Sequence, residues 1–429
     1  MRYQDDTVPW FLSSFLLLVF ALAGWQLTAT WHDVVTVSAG QLEESIRTGS
    51  GFRQLALCCL GGYALVSMLR SGRWPLQPKG VAGVVLIAYV LLACASIGWT
   101  VDHELTMRGS TRLIMMSAGA IAVAHKVTSR QIVKCALLIS AATLGASILA
   151  ELLHYSEIGS EEWRFGGVMH PVSQAWNCSI LSLSAWHLAA FSPKRRALYR
   201  LTIGIGILFL ALTKSRVAFG ATLVSILVSR IASLDGRRKT QALILAVLTV
   251  GACITAMAIS EGVQRFTLAL ASFGRGVEGV ASVSTLTGRL PLWNQCLEFA
   301  FQKPYLGFGY NTFLSPTILL NLSDSSGWMS SPHSGYIGAF LEVGGIGLAL
   351  LCIGLALSIY RSASLAEAEP DHCFAVALLV WLAINMITES FLINSASFPT
   401  FLAMTVLARL TLTDPDNHLR FFRQSERTQ

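Results

Sequence analysis

The chain has 429 residues, 53% of them hydrophobic and only 13% charged, with a mean hydropathy of +0.58. A soluble domain carries about 25% charged residues, so this surface is too poor in charge for water, and lipid must be the solvent. The formal net charge of +7 is no nucleic-acid footprint, because the basic residues sit in short loops between apolar runs and form no contiguous patch.

Apolar runs near span length fall at 9–31, 52–69, 80–99, 110–125, 131–153, 172–191, 199–213, 215–233, 240–259, 334–359, 372–393 and 397–412. The first run is longer than a signal-peptide core and follows acidic Asp5 and Asp6, so it reads as a retained span. Runs 199–213 and 215–233 are parted by Thr213-Lys214-Ser215-Arg216, a polar break that argues for two spans rather than one. With the N-terminus in the cytoplasm, 20 of the 31 lysines and arginines fall on the cytoplasmic side, with 192–200 and 235–239 strongly basic. The expected fold is therefore an all-α transmembrane bundle of about twelve spans with both termini inside. Spans one to nine occupy 1–259. One large extracytoplasmic loop occupies 260–333, and the last three spans and a cytoplasmic tail occupy 334–429.

The large loop is not featureless. From Leu290 to Gln302 a helix is expected, with Pro291 in its first turn and Trp293, Cys296, Leu297, Ala300 and Phe301 on one face. Such a helix suits a membrane interface. Cys296 reads as a small packing residue.

Four arginines lie on the outer side: Arg164, Arg216, Arg265 and Arg289. An arginine at the edge of lipid is costly unless it snorkels, pairs with an acid or meets an anionic ligand. Guanidinium grips phosphate as a bidentate fork and keeps its charge, so a cluster of them would suit a diphosphate. Taken singly, each is equally well explained by snorkelling. His333, in Ser331-Pro332-His333-Ser334-Gly335-Tyr336, sits where the loop re-enters the membrane, and an imidazole there can take a proton near neutral pH. The bland alternative is a satisfied interfacial histidine. His170, in Met169-His170-Pro171, is a weaker version of the same signal. Glu342 and Glu389 lie inside apolar runs, so each needs a partner or a water-lined cavity. Nine residues, about 900° of helical rotation, put Glu342 on the face opposite His333, so a structural partner is expected rather than a His–Glu dyad. HExxH and GxSxG signatures are absent from the sequence, and neither a metal nor a covalent nucleophile is expected.

The order of motifs resembles the bacterial O-antigen ligase and O-antigen polymerase superfamily. The resemblance runs through Arg164-Phe165-Gly166-Gly167 with His170-Pro171, then Thr213-Lys214-Ser215-Arg216 before a span. It continues with Thr287-Gly288-Arg289, Leu292-Trp293, Lys303-Pro304-Tyr305-Leu306-Gly307-Phe308-Gly309, Pro332-His333-Ser334-Gly335-Tyr336 and Glu342-Val343-Gly344-Gly345-Ile346-Gly347. The family's histidine is often followed by Asn; here Ser334 follows.

The resemblance implies a GT-C-type membrane glycosyltransferase in the bacterial inner membrane, with its active site facing the periplasm. It implies a glycan donor linked to undecaprenyl diphosphate, a lipid A-core acceptor, surrounding membrane lipid and no cofactor. It makes His333 the candidate general base. Arg216 and Arg289 would hold the diphosphate, with Arg164 or Arg265 assisting. A polymerase using the same donor is the nearest alternative. Polymerases often show two large outer loops in which about ten residues part an arginine from a glycine; Arg265 to Gly276 has that spacing, but the 155–171 loop lacks it, and one dominant loop favours the ligase. A lipid-linked sugar transporter would show inverted repeats and broken midplane helices, and neither is evident in the sequence; its charged residues would also lie mid-span, whereas these arginines lie at the outer edge.

Overall fold

The computed structural model describes residues 51–71, 76–153, 163–236, 289–320, 331–367, 369–392 and 397–412, with the single positions 241 and 322. The runs at 9–31 and 240–259, and Arg265, lie outside the described residues. Within them every regular element is helical. The order is α1 (Gly51–Ser71), α2 (Gly80–Ala95), α3 (His103–Lys126), α4 (Ser129–Leu153), α5 (Pro171–Phe191), α6 (Arg196–Leu212) and α7 (Arg216–Ala232). Then come α8 (Arg289–Ala300), α9 (Pro316–Leu319), α10 (Gly335–Leu365), α11 (His372–Asn385) and α12 (Phe398–Thr411).

The apolar runs within the described residues each coincide with a helix, and the break at Thr213–Ser215 does separate two of them. Boundaries differ from the sequence reading in several places, among them the end of α10, which runs past the expected 359 to Leu365. α3 starts at His103 because Asp102 caps it, its carboxylate accepting from Leu105 N–H at 3.0 Å. α11 stops at Asn385, and the apolar residues after it form a tight irregular segment in which Leu392 has φ 62°.

This is a helical membrane protein. Among the described residues, α2 with its extension to Gly98, α4 and α10 are long and apolar enough to cross a bilayer. Large apolar side chains such as Leu69, Leu91, Leu152, Leu201 and Leu227 lie on the outside, where water would penalise them and acyl chains would not. Several polar side chains inside the bundle bond to their own helix: Ser182 to Cys178 O, Thr222 to Ala218 O, Ser358 to Gly354 O. That satisfies them without water. α5 is buried on nearly every side and packs against α4, α6, α7 and α11. Its small residues Ala175, Cys178, Ser179, Ser182 and Ala185 let the neighbouring helices approach closely.

Loops that alternate along the sequence segregate to two ends. At one end Arg409, in the last turn of α12, donates to the carbonyls of Ala124 and Val127 and to Ser129 Oγ at 2.6–2.9 Å. Arg130 pairs with Asp371 at 3.0 Å beside it. At the other end Val101 N–H meets Phe308 O, Phe165 N–H meets Leu212 O and Gly335 N–H meets Met386 O. Arg164, Arg216, Arg289 and His333 all belong to this second end.

Candidate active site

Arg289 opens α8, with Pro291 in the first turn. The helix buries Cys296, Phe299 and Ala300 against Phe308, Phe313, Ile318 and Leu341, and Phe299 stacks on Phe308 at 4.4 Å. Cys296 is a packing residue, as expected. Phe301, expected on that face, is instead 66% exposed in the turn beyond the helix, and Phe299 takes its place. The reason is periodicity: Leu292 and Phe299, seven residues apart, share a face, and the helix has ended before residue 301.

α8 aims its first residue at the segment after α11. Arg289 Nη1 donates to Thr388 O at 2.6 Å, and Nη2 donates to Glu389 Oε1 at 2.9 Å. Both side chains are largely sheltered, 21% and 14% exposed. Burial raises the Glu389 carboxyl above its usual range, while Arg289, and more weakly Arg164, pull it back down. Two of the five guanidinium N–H donors thus fix Arg289 in place.

His333 lies next to this pair. Its backbone is left-handed, φ 47°, and its N–H donates to Ser331 Oγ at 3.2 Å. Trp293 Nε1, one turn into α8, donates to Pro332 O at 3.1 Å and so ties α8 to the residue before the histidine. Ser334 then caps α10 through Ile337 N–H, and both Ser334 Oγ and Gly335 N–H bond Met386 O. Ser and Asn are both strong N-cap residues, so Ser334 keeps the local geometry that Asn would provide. Burial, and then the Arg289 charge, lower the His333 pKa to about 4. The ring is therefore neutral at pH 7 rather than titrating there. Among the described residues it makes no hydrogen bond, which leaves a lone pair available.

The 163–170 loop brings the third basic group. Glu151 pins it with both oxygens, accepting from Trp163 Nε1 at 2.6 Å and from Gly167 N–H at 2.9 Å. Arg164 Nε donates to Thr213 O at 3.0 Å, locking this loop to the turn that precedes Arg216. Arg216 is the first residue of α7, which packs along α11, so it shares this end of the bundle with Glu389. Electrostatic coupling links Arg164 to His170 and Glu389, and His170 to His333. Arg164, Arg289 and His333 thus converge; Arg216 is attached through the Thr213 turn, and Arg265 lies outside the described residues.

The Lys303–Gly309 motif is structural. Phe308 and Gly309 N–H donate to Leu341 O and Glu342 O, while Gly345 and Ile346 N–H donate to Pro304 O and Tyr305 O. These four bonds stitch the loop to a break in α10 at Gly344, φ 69°, ψ −174°. Glu342 is fully buried and accepts from Asn311 N–H at 2.7 Å. It has the structural partner expected of it and forms no dyad with His333.

Two contributors were not assigned to the site from sequence. Glu389 was marked only as a charge needing a partner, and nothing pointed to Arg289, 100 residues earlier. Trp293 was placed by periodicity, whereas its indole N–H is what reaches the histidine segment.

Comparison with known proteins bears on this geometry. Residues 201–352 match the family model described as O-antigen ligase. An exopolysaccharide production protein, ExoQ, of Rhizobium meliloti (strain 1021) is 22% identical over 346 residues, covering 76% of this chain and 77% of that protein. Over these stretches the chain is similar to the O-antigen ligase family and to that exopolysaccharide production protein. The matched stretch contains Arg216, Arg289, His333 and Glu342, whereas Arg164 and Glu389 lie outside it. These likenesses support a glycosyl-transfer enzyme of ligase or polymerase type in polysaccharide biosynthesis.

Proposed function

We propose that the protein is an O-antigen ligase of the bacterial inner membrane. It would transfer a glycan from undecaprenyl diphosphate to lipid A-core on the periplasmic face. The observation that carries this reading is the juxtaposition of a neutral His333 ring with Arg289, itself held by Glu389 and Thr388 O. In the reaction the acceptor hydroxyl oxygen attacks the anomeric carbon while the bond from that carbon to the diphosphate oxygen breaks. The bonding pair leaves with diphosphate, and the hydroxyl proton passes to the His333 ring. A single in-line displacement inverts the anomeric centre. Diphosphate is already a good leaving group, so the main tasks are positioning and charge stabilisation. Arg289 and Arg216, with Arg164 and Arg265 assisting, supply that charge without proton transfer, and the reading requires no metal.

The likeness to an exopolysaccharide production protein favours a second reading, a polymerase using the same lipid-linked donor. Deletion of the gene, read on a lipopolysaccharide gel, separates them. A ligase deletion leaves bare lipid A-core with long glycan still on undecaprenyl diphosphate. Core carrying a single repeat unit would instead identify a polymerase. An unchanged gel would remove both.

A further inference from the structure

One short turn at the arginine end of the bundle shows large apolar side chains to the outside. Phe301 is 66% exposed, Tyr305 74% and Leu306 40%. The backbone of this turn is committed to the Gly344 junction, where Gly345 and Ile346 N–H donate to Pro304 O and Tyr305 O. Its side chains take no part in those bonds. Lys303, exposed between them, carries its charge on a stem long enough to reach lipid headgroups.

The spans fix the depth of this turn. α2 with its extension runs from Gly80 to Gly98, 19 residues. That is about 28 Å of helix, which matches a hydrocarbon core of about 30 Å. Trp99 follows at once, and its Nε1 donates to Leu306 O at 3.0 Å. Leu306 therefore lies where a bilayer-spanning helix runs out of hydrocarbon, the depth at which Trp and Tyr are enriched. The exposed stripe of α10 leads to the same place. Ile346, Ile353 and Tyr360, spaced evenly two turns apart, are 47%, 49% and 74% exposed. The stripe begins at the residue bonded to Tyr305. α8 changes character at this level too. Its exposed positions Asn294 and Glu298 are polar, whereas Phe301, continuing their stripe just past the helix, is apolar. A helix that starts in water and ends in lipid has that order.

We propose that the turn from Phe301 to Leu306 is a lipid-contact site, whose Phe301, Tyr305 and Leu306 side chains enter the acyl boundary of the leaflet at this end of the bundle. The occupant is the phospholipid surface, and the contact continues the lipid-facing sides of α2 and α10. It requires the membrane fold alone and is independent of the reaction proposed above.

The test uses the full-length protein in nanodiscs of dioleoylphosphatidylcholine. The photoreactive residue p-benzoylphenylalanine is placed singly at Tyr305, at Phe301 and, as the water-facing control, at Asn294. These side chains are all exposed, so the size-exclusion profiles should match the wild type. Illumination should raise the intact mass of the first two proteins by that of one lipid. The third should stay unshifted, because Asn294 stands two helical turns, about 10 Å, from Phe301. Should the Phe301 replacement disturb the fold, Tyr305 decides alone. A cross-link from position 305 to another part of the chain, found by peptide mapping without a gain in mass, would show that protein covers the turn and would overturn the proposal. The absence of any adduct at 305, or an equal lipid yield at 294, would overturn it as well.

Discussion

Burial and the Arg289 charge hold the His333 imidazole at a pKa of about 4, so it is a neutral but weak base. A diphosphate on Arg289 would offset that charge and raise the pKa of the ring. The consequence is a split pH profile. kcat/KM, which reports the free enzyme, should rise as pH climbs through about 4 and stay level above. The acid limb of kcat, which reports the complex, should lie at higher pH. Coincident limbs would show that diphosphate and His333 do not interact. His333→Ala should cut transfer about a hundredfold or more while the protein still inserts, and retained transfer would remove the base role. Glu389→Gln leaves the shape intact but removes the charge that fixes Arg289. We expect the donor KM to rise and turnover to fall about tenfold to a hundredfold. Unchanged kinetics would make the Arg289–Glu389 pair a packing feature only.

α10 is interrupted, and the interruption positions the site. At Gly344 the φ and ψ are open essentially to glycine alone, and a Cβ there would strike the backbone carbonyl of Tyr305. Gly307, with φ 65°, faces the same junction across the Glu342 backbone. The loop replaces the helical bonds lost at the break with its own four, which is why Gly307-Phe308-Gly309 and Gly344-Gly345 occur as a pair in one sequence. Gly344→Ala should cost about 2 kcal/mol or more, read as a lower melting temperature and a broadened size-exclusion peak. A wild-type profile would show that the junction tolerates rearrangement. The motifs on both sides of this junction were legible in sequence, but their pairing was not, because two backbone segments 33 to 41 residues apart leave no signal that either is waiting for the other.

At the scale of the whole molecule, the two sets of loops gather at opposite ends, one stapled by Arg409 and Arg130, the other carrying Arg164, Arg289 and His333. The bias of lysine and arginine predicts an orientation for this axis, with the first end facing the cytoplasm. Alkaline phosphatase, which needs disulfides and so an oxidising compartment, is expected to be active when fused after residue 303 and inactive when fused after residue 236. The reverse pattern would invert the orientation and place the arginines in the cytoplasm.

Hydrophobic runs and their polar breaks determined the helical elements by themselves, because a helix in lipid must satisfy its own backbone and needs about one uninterrupted apolar stretch to do so. The arginines and His333 were likewise visible as charges in costly places. What only the tertiary structure decided is which charges meet. Glu389 reaches Arg289 because α11 ends early and α8 lies across it, and the His333 pKa is lowered first by burial and then by that same arginine. Charge interaction depends on distance and burial, and neither is written along the chain.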